Sequence, residues 1–372
     1  MTLFSDPSGA PGQRRGRRGA IAGWILAAVA VVTGVLLITP APYVIEMPGP
    51  AFDTLGTVEI DGETVPMISV PDNEFPTDGQ LNLLTVSTLG TPVSEPPWYR
   101  VLEAWIDPTQ TVIDIDRVYP DGVSVDDLNE QNAQAMQASQ QAAIAAALTQ
   151  LGYKFESTVS VGSVVADTPA AGVLREGDIV REVNGERVRS EDVLRSLIAA
   201  NGADVPMTVA IERNGRERKV EVTPALGTDG ITGKRVPQIG IVPLTEYVFP
   251  LQIVIQLENV GGPSGGMMFA LGIIDKLTEE SLTGGEIIAG TGEITASGDV
   301  GPISGVRQKM VTASRIGATW FLAPVENCDE VTGNIPEGLS VTAVDTLQDS
   351  VDALHAISSG DGTGDLPTCP AP

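Results

Sequence analysis

The segment that most constrains the fold is a glycine-rich loop at positions 260–266, which reads Val-Gly-Gly-Pro-Ser-Gly-Gly. It follows an apolar segment with strand character at 251–257 and precedes an apolar segment with helical character at 267–277. Glycine permits the backbone conformations that a sharp strand-to-helix turn requires. Because such a turn leaves backbone N–H groups free to bind a reacting oxygen, Ser264 is a candidate nucleophile.

A serine becomes a nucleophile when a neighbouring base takes its proton, and the chain offers two candidate bases. The first is Lys309, because a buried lysine acts as a base when desolvation favours its neutral form. The second is His355, the one histidine of the chain. Gly262-x-Ser-x-Gly266 matches the nucleophile elbow of α/β-hydrolases, and His355 as its base would make a Ser–His esterase. A plain glycine-serine turn and a solvated lysine are the non-catalytic interpretations.

Four blocks in the second half of the chain resemble the proteolytic domain of Lon proteases, in the same order and at the same spacing. They are Gly262-Pro-Ser-Gly-Gly, Gly290-Thr-Gly-Glu-Ile-Thr295, Gly298-Asp-Val-Gly-Pro-Ile-Ser-Gly-Val-Arg-Gln-Lys309 and Gly317-Ala-Thr-Trp-Phe-Leu-Ala-Pro324. Any one block alone is a weak signal. The four together indicate a proteolytic domain of this kind.

The resemblance implies a Ser–Lys dyad, with Ser264 as nucleophile and Lys309 as general base. It also implies that the hydroxyl group of Thr291 helps to place the lysine. The sequence departs from the family pattern at two positions beside the nucleophile. Gly261 stands where the family usually has aspartate, and Gly265 where it usually has alanine. These departures concern substrate contacts and the stiffness of the loop, and neither is a dyad position.

The composition argues against several classes of protein. The chain of 372 residues carries 48 acidic residues against 22 lysines and arginines, a net charge of −26. Nucleic acid is not an expected partner, because phosphate binding needs positive charge. The sequence has no metal-ligand spacing and no phosphate-binding loop, so neither a metal, nor ATP, nor another cofactor is expected. Cys328 and Cys369 either pair in an oxidising compartment or stay free.

An uncharged apolar run near the N-terminus predicts a membrane anchor. Residues 19–38 carry no charge and would span about 30 Å as a helix, the thickness of a hydrocarbon core. A cleaved signal peptide is the alternative, but its apolar region is shorter, about 7–15 residues. The arginine-rich stretch 14–18 predicts that a basic tail, 1–18, lies in the cytoplasm. The expectation is a single-pass cell-membrane protein with a transmembrane helix at 19–39 and an extracytoplasmic catalytic part.

Short alternating apolar runs predict strands in the region 43–120, where they begin at Tyr43, Thr57, Gln80 and Thr111. Alanine, glutamine and leucine dominate 123–150, a composition that predicts a long helix. This order of strands followed by a helix with a Met-x-x-Ser pattern is similar to the opening of the Lon proteolytic domain. The region therefore extends the resemblance, although less specifically than the four blocks.

Residues 157–225 resemble a different family, the bacterial PDZ domains. The resemblance lies in Pro-Ala-Ala-Gly at 169–172, Gly177-Asp178 and Asn184-Gly185, in the order of that family. PDZ domains bind extended peptides by adding a strand beside a helix, so peptide or protein substrates are the expected partners. A small β-rich packing module is the alternative interpretation.

Local signals within this region predict its helix and one hairpin. Ser190 is expected to cap a helix at 191–200, and Asn214-Gly215 to close a two-residue hairpin. The apolar helix positions, Leu194, Leu197 and Ile198, either line a peptide groove or belong to the core.

The two resemblances together predict an α+β fold in which a PDZ domain interrupts a Lon-type proteolytic domain, preceded by one transmembrane helix. The proteolytic domain comprises 43–150 and 237–355, the PDZ domain is 157–225, and a flexible tail is 356–372. Such an insertion is tolerated where both ends of the insert lie close together at the surface.

The predicted function is an ATP-independent serine endopeptidase that cleaves unfolded or flexible proteins recruited by the PDZ domain. ATP independence is expected because no phosphate-binding loop is present. The resemblance to Lon also implies a homo-hexameric ring. Two alternatives stay open: a non-catalytic peptide-binding PDZ scaffold and a Ser–His esterase.

Overall fold

The computed structural model describes residues 14–71, 73–120, 122–228, 234–258 and 260–370, with side chains of the first helix from Gly23 onward. Residues 1–13 of the predicted basic tail lie outside the described residues. The α-helices, in chain order, are α1 Arg14–Ile38, α2 Trp98–Ile106, α3 Ile115–Val118, α4 Val125–Gln150, α5 Glu191–Asn201, α6 Gly266–Leu277, α7 Val306–Arg315, α8 Cys328–Val331 and α9 Leu347–Ser359.

The strands are numbered in the same way. They are β1 Tyr43–Asp53, β2 Thr57–Ile60, β3 Glu63–Pro66, β4 Ile68–Ser69, β5 Gln80–Leu89, β6 Thr111–Asp114, β7 Glu156–Val164, β8 Ile179–Val183, β9 Glu186–Arg187, β10 Met207–Arg213, β11 Arg216–Val222, β12 Ala225–Thr228, β13 Arg235–Gln238, β14 Ile241–Val248, β15 Val254–Ile255, β16 Ile287–Gly290, β17 Glu293–Ile294, β18 Val300–Gly301, β19 Trp320–Pro324 and β20 Ser340–Val344. The four strands predicted within 43–120 are present. The apolar segment 251–257 contributes only the two residues of β15, which pair with β4.

One compact unit comprises the described residues up to Met47 and those from Ser87 to Leu128. Its strand β6 pairs antiparallel with the first residues of β1, with Tyr43 opposite Asp114. Tyr43, Trp98 and Trp105 make edge-to-face contacts with ring centroids 5.7, 6.1 and 6.3 Å apart. Such contacts stabilise beyond the apolar area that they bury.

The predicted transmembrane helix at 19–39 is wrong, and so is the single-pass membrane location that depended on it. No helix in the described part of the chain is both long enough and apolar enough to cross a membrane.

The second compact unit comprises residues 48–86 and 129–372, and its central sheet has the order β20-β19-β16-β5-β1. The pairs β5–β16, β16–β19 and β19–β20 are parallel. Alternate residues of a strand face opposite sides, so Leu83 packs into a core with α4, α6 and α9, while Leu84 packs into a core with α7 and α8. Helices thus cover both faces of the sheet, as parallel strands require.

The same unit contains an antiparallel sheet in the order β11-β10-β8-β7-β14, against which α5 packs. Ser190 caps α5 as predicted, by accepting a hydrogen bond from the Val193 N–H at 3.4 Å. Asn214 and Gly215 close the β10–β11 hairpin, also as predicted, with φ values of 53° and 71°. Leu194 and Ile198 belong to the core beneath α5, whereas Leu197 is only half-buried.

Strand β14 lies at the edge of this sheet, beyond the predicted end of the PDZ domain at residue 225. It pairs with β7 on one side, and in the described part of the chain no strand pairs with its other side. Half-buried and exposed residues alternate along 241–248. The exposed positions include Val242, Leu244 and Val248, so the sequence itself lacks the apolar–polar alternation that is typical of a half-buried strand.

Aromatic rings mark the place where the chain enters and leaves the antiparallel sheet. Phe155 precedes β7, while Tyr247 and Phe249 stand at the end of β14. The Tyr247 and Phe249 rings stack at 5.2 Å, and Phe155 contacts both edge-on at 6.0 and 5.2 Å. Burial, together with the nearby charge of Asp192, raises the pKa of Tyr247. The ring contacts therefore hold the start of β7 and the end of β14 next to each other.

A disulfide bond joins Cys328 to Cys369, 41 residues apart in the second unit. The tail at 356–372 was predicted to be flexible, but residues 356–359 belong to α9 and Pro367 lies against β20. There the Pro367 carbonyl accepts hydrogen bonds from the Ala343 N–H and the Thr342 hydroxyl, both at 2.8 Å.

Candidate active site

The glycine-rich loop before α6 is held by side chains and backbone of α4. Gly262 has φ +87°, a conformation that favours glycine, and its N–H donates to the Asn132 carbonyl at 3.0 Å. The Ser139 hydroxyl donates to the Pro263 carbonyl at 2.8 Å. These contacts fix the backbone on the N-terminal side of Ser264. Sequence reasoning assigned no role to either α4 residue.

The two departures from the Lon pattern have a steric explanation. A β-carbon at position 261 would meet the Asn132 β-carbon at 2.7 Å, and one at position 265 would meet the Leu83 side chain at 2.8 Å. Real β-carbons essentially never approach other atoms so closely. Glycine at Gly261 and Gly265 therefore allows α4 and β5 to pack directly against the loop.

Ser264 is half-buried, two residues before the start of α6. Its carbonyl oxygen accepts two hydrogen bonds, from the Thr291 hydroxyl at 2.9 Å and from the Gly292 N–H at 3.0 Å. Its side-chain Oγ accepts a hydrogen bond from Lys309 Nζ at 2.8 Å. The backbone of the serine is thus immobilised while its hydroxyl group faces the lysine.

Lys309 lies on α7, and the side chain is 2 % exposed. Val306 and Met310 of the same helix are fully buried in the core on that face of the sheet. Gly305, with φ 71°, starts the helix in a left-handed conformation, and the Thr312 hydroxyl binds the Gly49 carbonyl at 3.1 Å. This packing directs the amine away from solvent and toward the glycine-rich loop.

Thr291 follows the central strand β16 and is fully buried. Its hydroxyl accepts a hydrogen bond from Lys309 Nζ at 2.9 Å and donates one to the Ser264 carbonyl. The three side chains named from the sequence therefore come together in one closed set of hydrogen bonds. A serine hydroxyl and an amine at this distance are suitably placed for proton transfer.

Backbone donors lie beside the serine. Among the described residues, the N–H groups of Ser264 and Gly265 donate to no protein acceptor. Both precede the first turn of α6, and the N-terminal end of a helix favours negative charge. The loop can therefore bind an oxyanion next to the Ser264 hydroxyl.

His355 does not belong to this group of residues. It lies exposed on α9, and within the described residues its side chain makes no hydrogen bond to Ser264. The structure therefore does not support His355 as the base of a Ser–His esterase. No cluster of three or more potential metal-ligating side chains occurs among the described residues.

Two carboxyl groups of the proteolytic part, one buried and one half-buried, lie outside this site. Burial raises the pKa of Asp275, near the C-terminal end of α6, although its carboxylate accepts a hydrogen bond from the Leu282 N–H at 2.5 Å. Burial likewise raises the pKa of Asp53, whose carboxylate accepts from the Leu55 and Leu81 N–H groups. These two groups connect backbone segments and do not contact the serine–lysine pair.

Two family models match separate segments of the chain. Residues 259–356 match the Lon protease (S16) C-terminal proteolytic domain, and residues 122–223 match the PDZ domain. The chain therefore contains a Lon-type proteolytic domain, which supports a serine peptidase, together with a PDZ domain.

Named Lon proteases are similar to part of this chain. Lon protease 2 of Herpetosiphon aurantiacus is 36 % identical over 124 residues, which are 32 % of this chain and 14 % of that protein. Lon protease of Clostridioides difficile is 37 % identical over 91 residues, which are 24 % of this chain and 11 % of that protein. The chain thus corresponds to a small part of each of these relatives.

Solved structures similar to this chain include PDZ domains of Listeria proteins. The PDZ domain of the SdrC-like protein of Listeria innocua is 26 % identical and covers 23 % of this chain and 92 % of its own, with a TM-score of 0.21. Its counterpart from Listeria monocytogenes is also 26 % identical and covers 23 % of this chain and 86 % of its own, again with a TM-score of 0.21.

Proposed function

We propose that this chain is a serine endopeptidase that uses Ser264 as nucleophile and Lys309 as general base. The observation that carries the proposal is the 2.8 Å contact between Lys309 Nζ and Ser264 Oγ, made by a lysine that is 2 % exposed. Burial favours the neutral form of an amine, and only the neutral amine accepts a proton. Thr291 positions that amine through its hydroxyl group.

In the proposed reaction, neutral Lys309 takes the hydroxyl proton of Ser264 while Oγ attacks the carbonyl carbon of a peptide bond. The N–H groups of Ser264 and Gly265 stabilise the resulting oxyanion. The protonated amine of Lys309 then gives its proton to the departing amine, and the peptide bond breaks. Water repeats the sequence on the acyl-enzyme, and release of the acid restores the serine hydroxyl.

The PDZ domain supplies peptide binding in this proposal. The unpaired edge of β14 lies beside α5, which is the arrangement for adding an extended segment as a further strand. Substrates are therefore unfolded or flexible proteins, and cleavage needs no ATP, because the sequence has no phosphate-binding loop. Assembly into a hexameric ring is a further expectation from the resemblance, and light scattering tests it.

The test is cleavage of unfolded casein by the wild-type chain and by Ser264→Ala, Lys309→Ala and His355→Ala variants. The first two variants are expected to be inactive with near-normal folding, and His355→Ala is expected to retain activity. An inactive His355→Ala variant beside an active Lys309→Ala variant would refute the dyad. A wild-type chain that cleaves no unfolded protein, with or without ATP, would favour the non-catalytic PDZ scaffold.

A further inference from the structure

A cavity of about 750 Å³ lies between the antiparallel PDZ sheet and the proteolytic part of the second unit. Its polar wall contains four basic side chains, its apolar wall contains the rings of Phe155 and Tyr247, and the proteolytic side contributes Ser297. The basic residues are Lys154, Arg181, Arg187 and Arg189. This volume falls within the range of small-molecule pockets, about 300–1,000 Å³.

The charge of the cavity opposes that of the whole chain. Four basic residues and one acidic residue, Glu156, line the cavity of a chain whose net charge is −26. Arg181 is paired with Glu212 at 2.7 Å, but Lys154, Arg187 and Arg189 form no ion pair with any described residue. These three exposed cations are available to an anionic ligand.

Two acidic residues of α5 near the cavity have partners of different kinds. The Asp192 carboxylate accepts hydrogen bonds from the Ser190 and Ser297 hydroxyls at 3.0 and 3.2 Å. The Glu191 carboxylate is paired with Arg195 at 2.6 Å. The hydroxyl partners of Asp192 are neutral, so Asp192 and Glu156 both keep a negative charge. These two carboxylates offset two of the three unpaired basic residues, and a smaller excess of positive charge remains in the cavity.

The cavity is also continuous with the edge at which a peptide would add. Tyr247, at the end of β14, and Val193, at the start of α5, both line it. A segment that pairs antiparallel with β14 consequently has its N-terminal end at the cavity. On the opposite wall, Ser297 belongs to the turn between β17 and β18, a few residues after Thr291.

We propose that this cavity binds acidic side chains of a peptide substrate, directly N-terminal to the segment that adds to β14. Guanidinium groups match carboxylates in charge and in hydrogen-bond geometry. The free strand edge that leads into the cavity favours a peptide over a small phosphate ligand. This proposal rests on the proposed peptidase function, and it makes acidic sequence upstream of the recruited segment a determinant of substrate choice.

The test uses the Ser264→Ala chain and three fluorescein-labelled peptides that share one Val/Thr-rich segment. The first peptide has a block of glutamates N-terminal to that segment, the second has the same block at its C-terminal end, and the third has an N-terminal block of glutamines. Fluorescence anisotropy should show the first peptide binding at least about tenfold more tightly than the third, since several charge-assisted bonds are added. The second should gain no more than about threefold, since its charges act only at long range.

A matched pair of double variants locates the effect. Arg187→Gln/Arg189→Gln should abolish the preference for upstream glutamates, while Arg216→Gln/Arg218→Gln should preserve it. Both double variants remove two exposed arginines of the PDZ domain, but Arg216 and Arg218 lie on β11, away from the cavity. Thermal melts establish that both proteins fold.

Equal affinity for the three peptides, no detectable binding of any of them, or an equal loss in both double variants overturns the proposal. Tight binding of a phosphoserine peptide without binding of the glutamate peptide overturns it as well, in favour of a phosphate site. Because binding is measured on the Ser264→Ala chain, the result does not depend on catalysis. A wild-type chain that shows the binding preference but cleaves nothing would refute the proposed function and leave the cavity proposal standing.

Discussion

Arg213 in the PDZ domain and Lys309 in the proteolytic part are both largely buried basic residues, but they donate to different kinds of acceptor. The Arg213 guanidinium donates to both carboxylate oxygens of Asp178, each at 2.6 Å. Lys309 Nζ donates to the hydroxyl oxygens of Ser264 and Thr291, at 2.8 and 2.9 Å. The Asp178 side chain is 1 % exposed and that of Arg213 is 14 % exposed.

The difference in acceptor bears on the protonation of the two basic groups. Burial raises the pKa of Asp178, but hydrogen bonds from Arg213 and from the Arg175 N–H outweigh burial and leave that pKa below its usual range. Both members of this pair are therefore held in their charged forms. A hydroxyl oxygen is uncharged, so the contacts of Lys309 with Ser264 and Thr291 do not require a protonated amine.

The largest predicted effect is that of Lys309→Met on peptide cleavage. We expect kcat to fall by at least about 10³-fold, because the proposed base is lost. We expect the melting temperature to hold or rise, because methionine fills the space without a buried amine to desolvate. Peptidase assays and thermal melts of the two proteins measure both quantities.

Lys276→Met is the matched control for that substitution. Lys276 is also buried, at 3 % exposure, but its amine is paired with Glu74 at 2.5 Å and lies outside the proposed site. This variant should keep its activity while it is folded and should lose stability. Equal losses of activity in the two variants would mean that Lys309 acts only through the fold.

Arg213→Met, the corresponding change in the PDZ domain, should lower stability instead. Removing one member of a buried ion pair costs about 3 kcal/mol, because Asp178 remains buried without its partner. Cleavage of a small peptide should persist below the melting temperature. Urea unfolding measures the loss, and Arg216→Met, at an exposed arginine, should change stability by less than about 0.5 kcal/mol.

A double variant sharpens this contrast. Asp178→Leu/Arg213→Met should be more stable than Arg213→Met alone, because apolar side chains replace both charges. If the single and double variants are equally unstable, Arg213 stabilises the fold through packing of the aliphatic part of its side chain and not through its charge.

Much of the candidate site was accessible from the sequence. The blocks around Ser264, Thr291 and Lys309 predicted that distant segments meet, and the structure brings the three side chains within hydrogen-bonding distance. Their catalytic roles stay predictions. The cap at Ser190 and the turn at Asn214-Gly215 were predictable because each depends on a few adjacent residues.

Other features were not accessible, for identifiable physical reasons. Ser139 contacts the loop at Pro263, 124 residues further along the chain, and no local signal specifies such a partner. The edge strand β14 was missed because the PDZ motifs end before it. The predicted membrane helix was wrong, since no helix in the part of the chain that the structure describes is long and apolar enough to cross a membrane.

Thr291→Val should lower the peptidase activity by less than Lys309→Met does. The isosteric change removes the hydroxyl that accepts from Lys309 and donates to the Ser264 carbonyl. We expect kcat to fall by about 10–100-fold with little change in KM, because the base stays present but is less well placed. Thr291→Ser retains the hydroxyl and should restore most of the activity. A Thr291→Val variant with normal kcat and an unchanged pH profile would exclude a positioning role.

The smallest predicted effect concerns the pH dependence of stability, where the two parts should respond in opposite directions. The pKa of Asp178 is lowered in the folded state, so its pair contributes stability above the usual carboxyl range that is lost as the pH falls through the lowered value. The pKa of Asp275 is raised, so its contribution to stability is complete at low pH and is lost as the pH rises through the raised value.

Urea unfolding of the wild type, Asp178→Asn and Asp275→Asn from about pH 3 to pH 8 measures both contributions. The stability of the wild type relative to Asp178→Asn should grow with rising pH, whereas its stability relative to Asp275→Asn should shrink. Two difference curves that both shrink with rising pH would mean that burial alone sets both titrations, and that Arg213 does not hold Asp178 in its charged form.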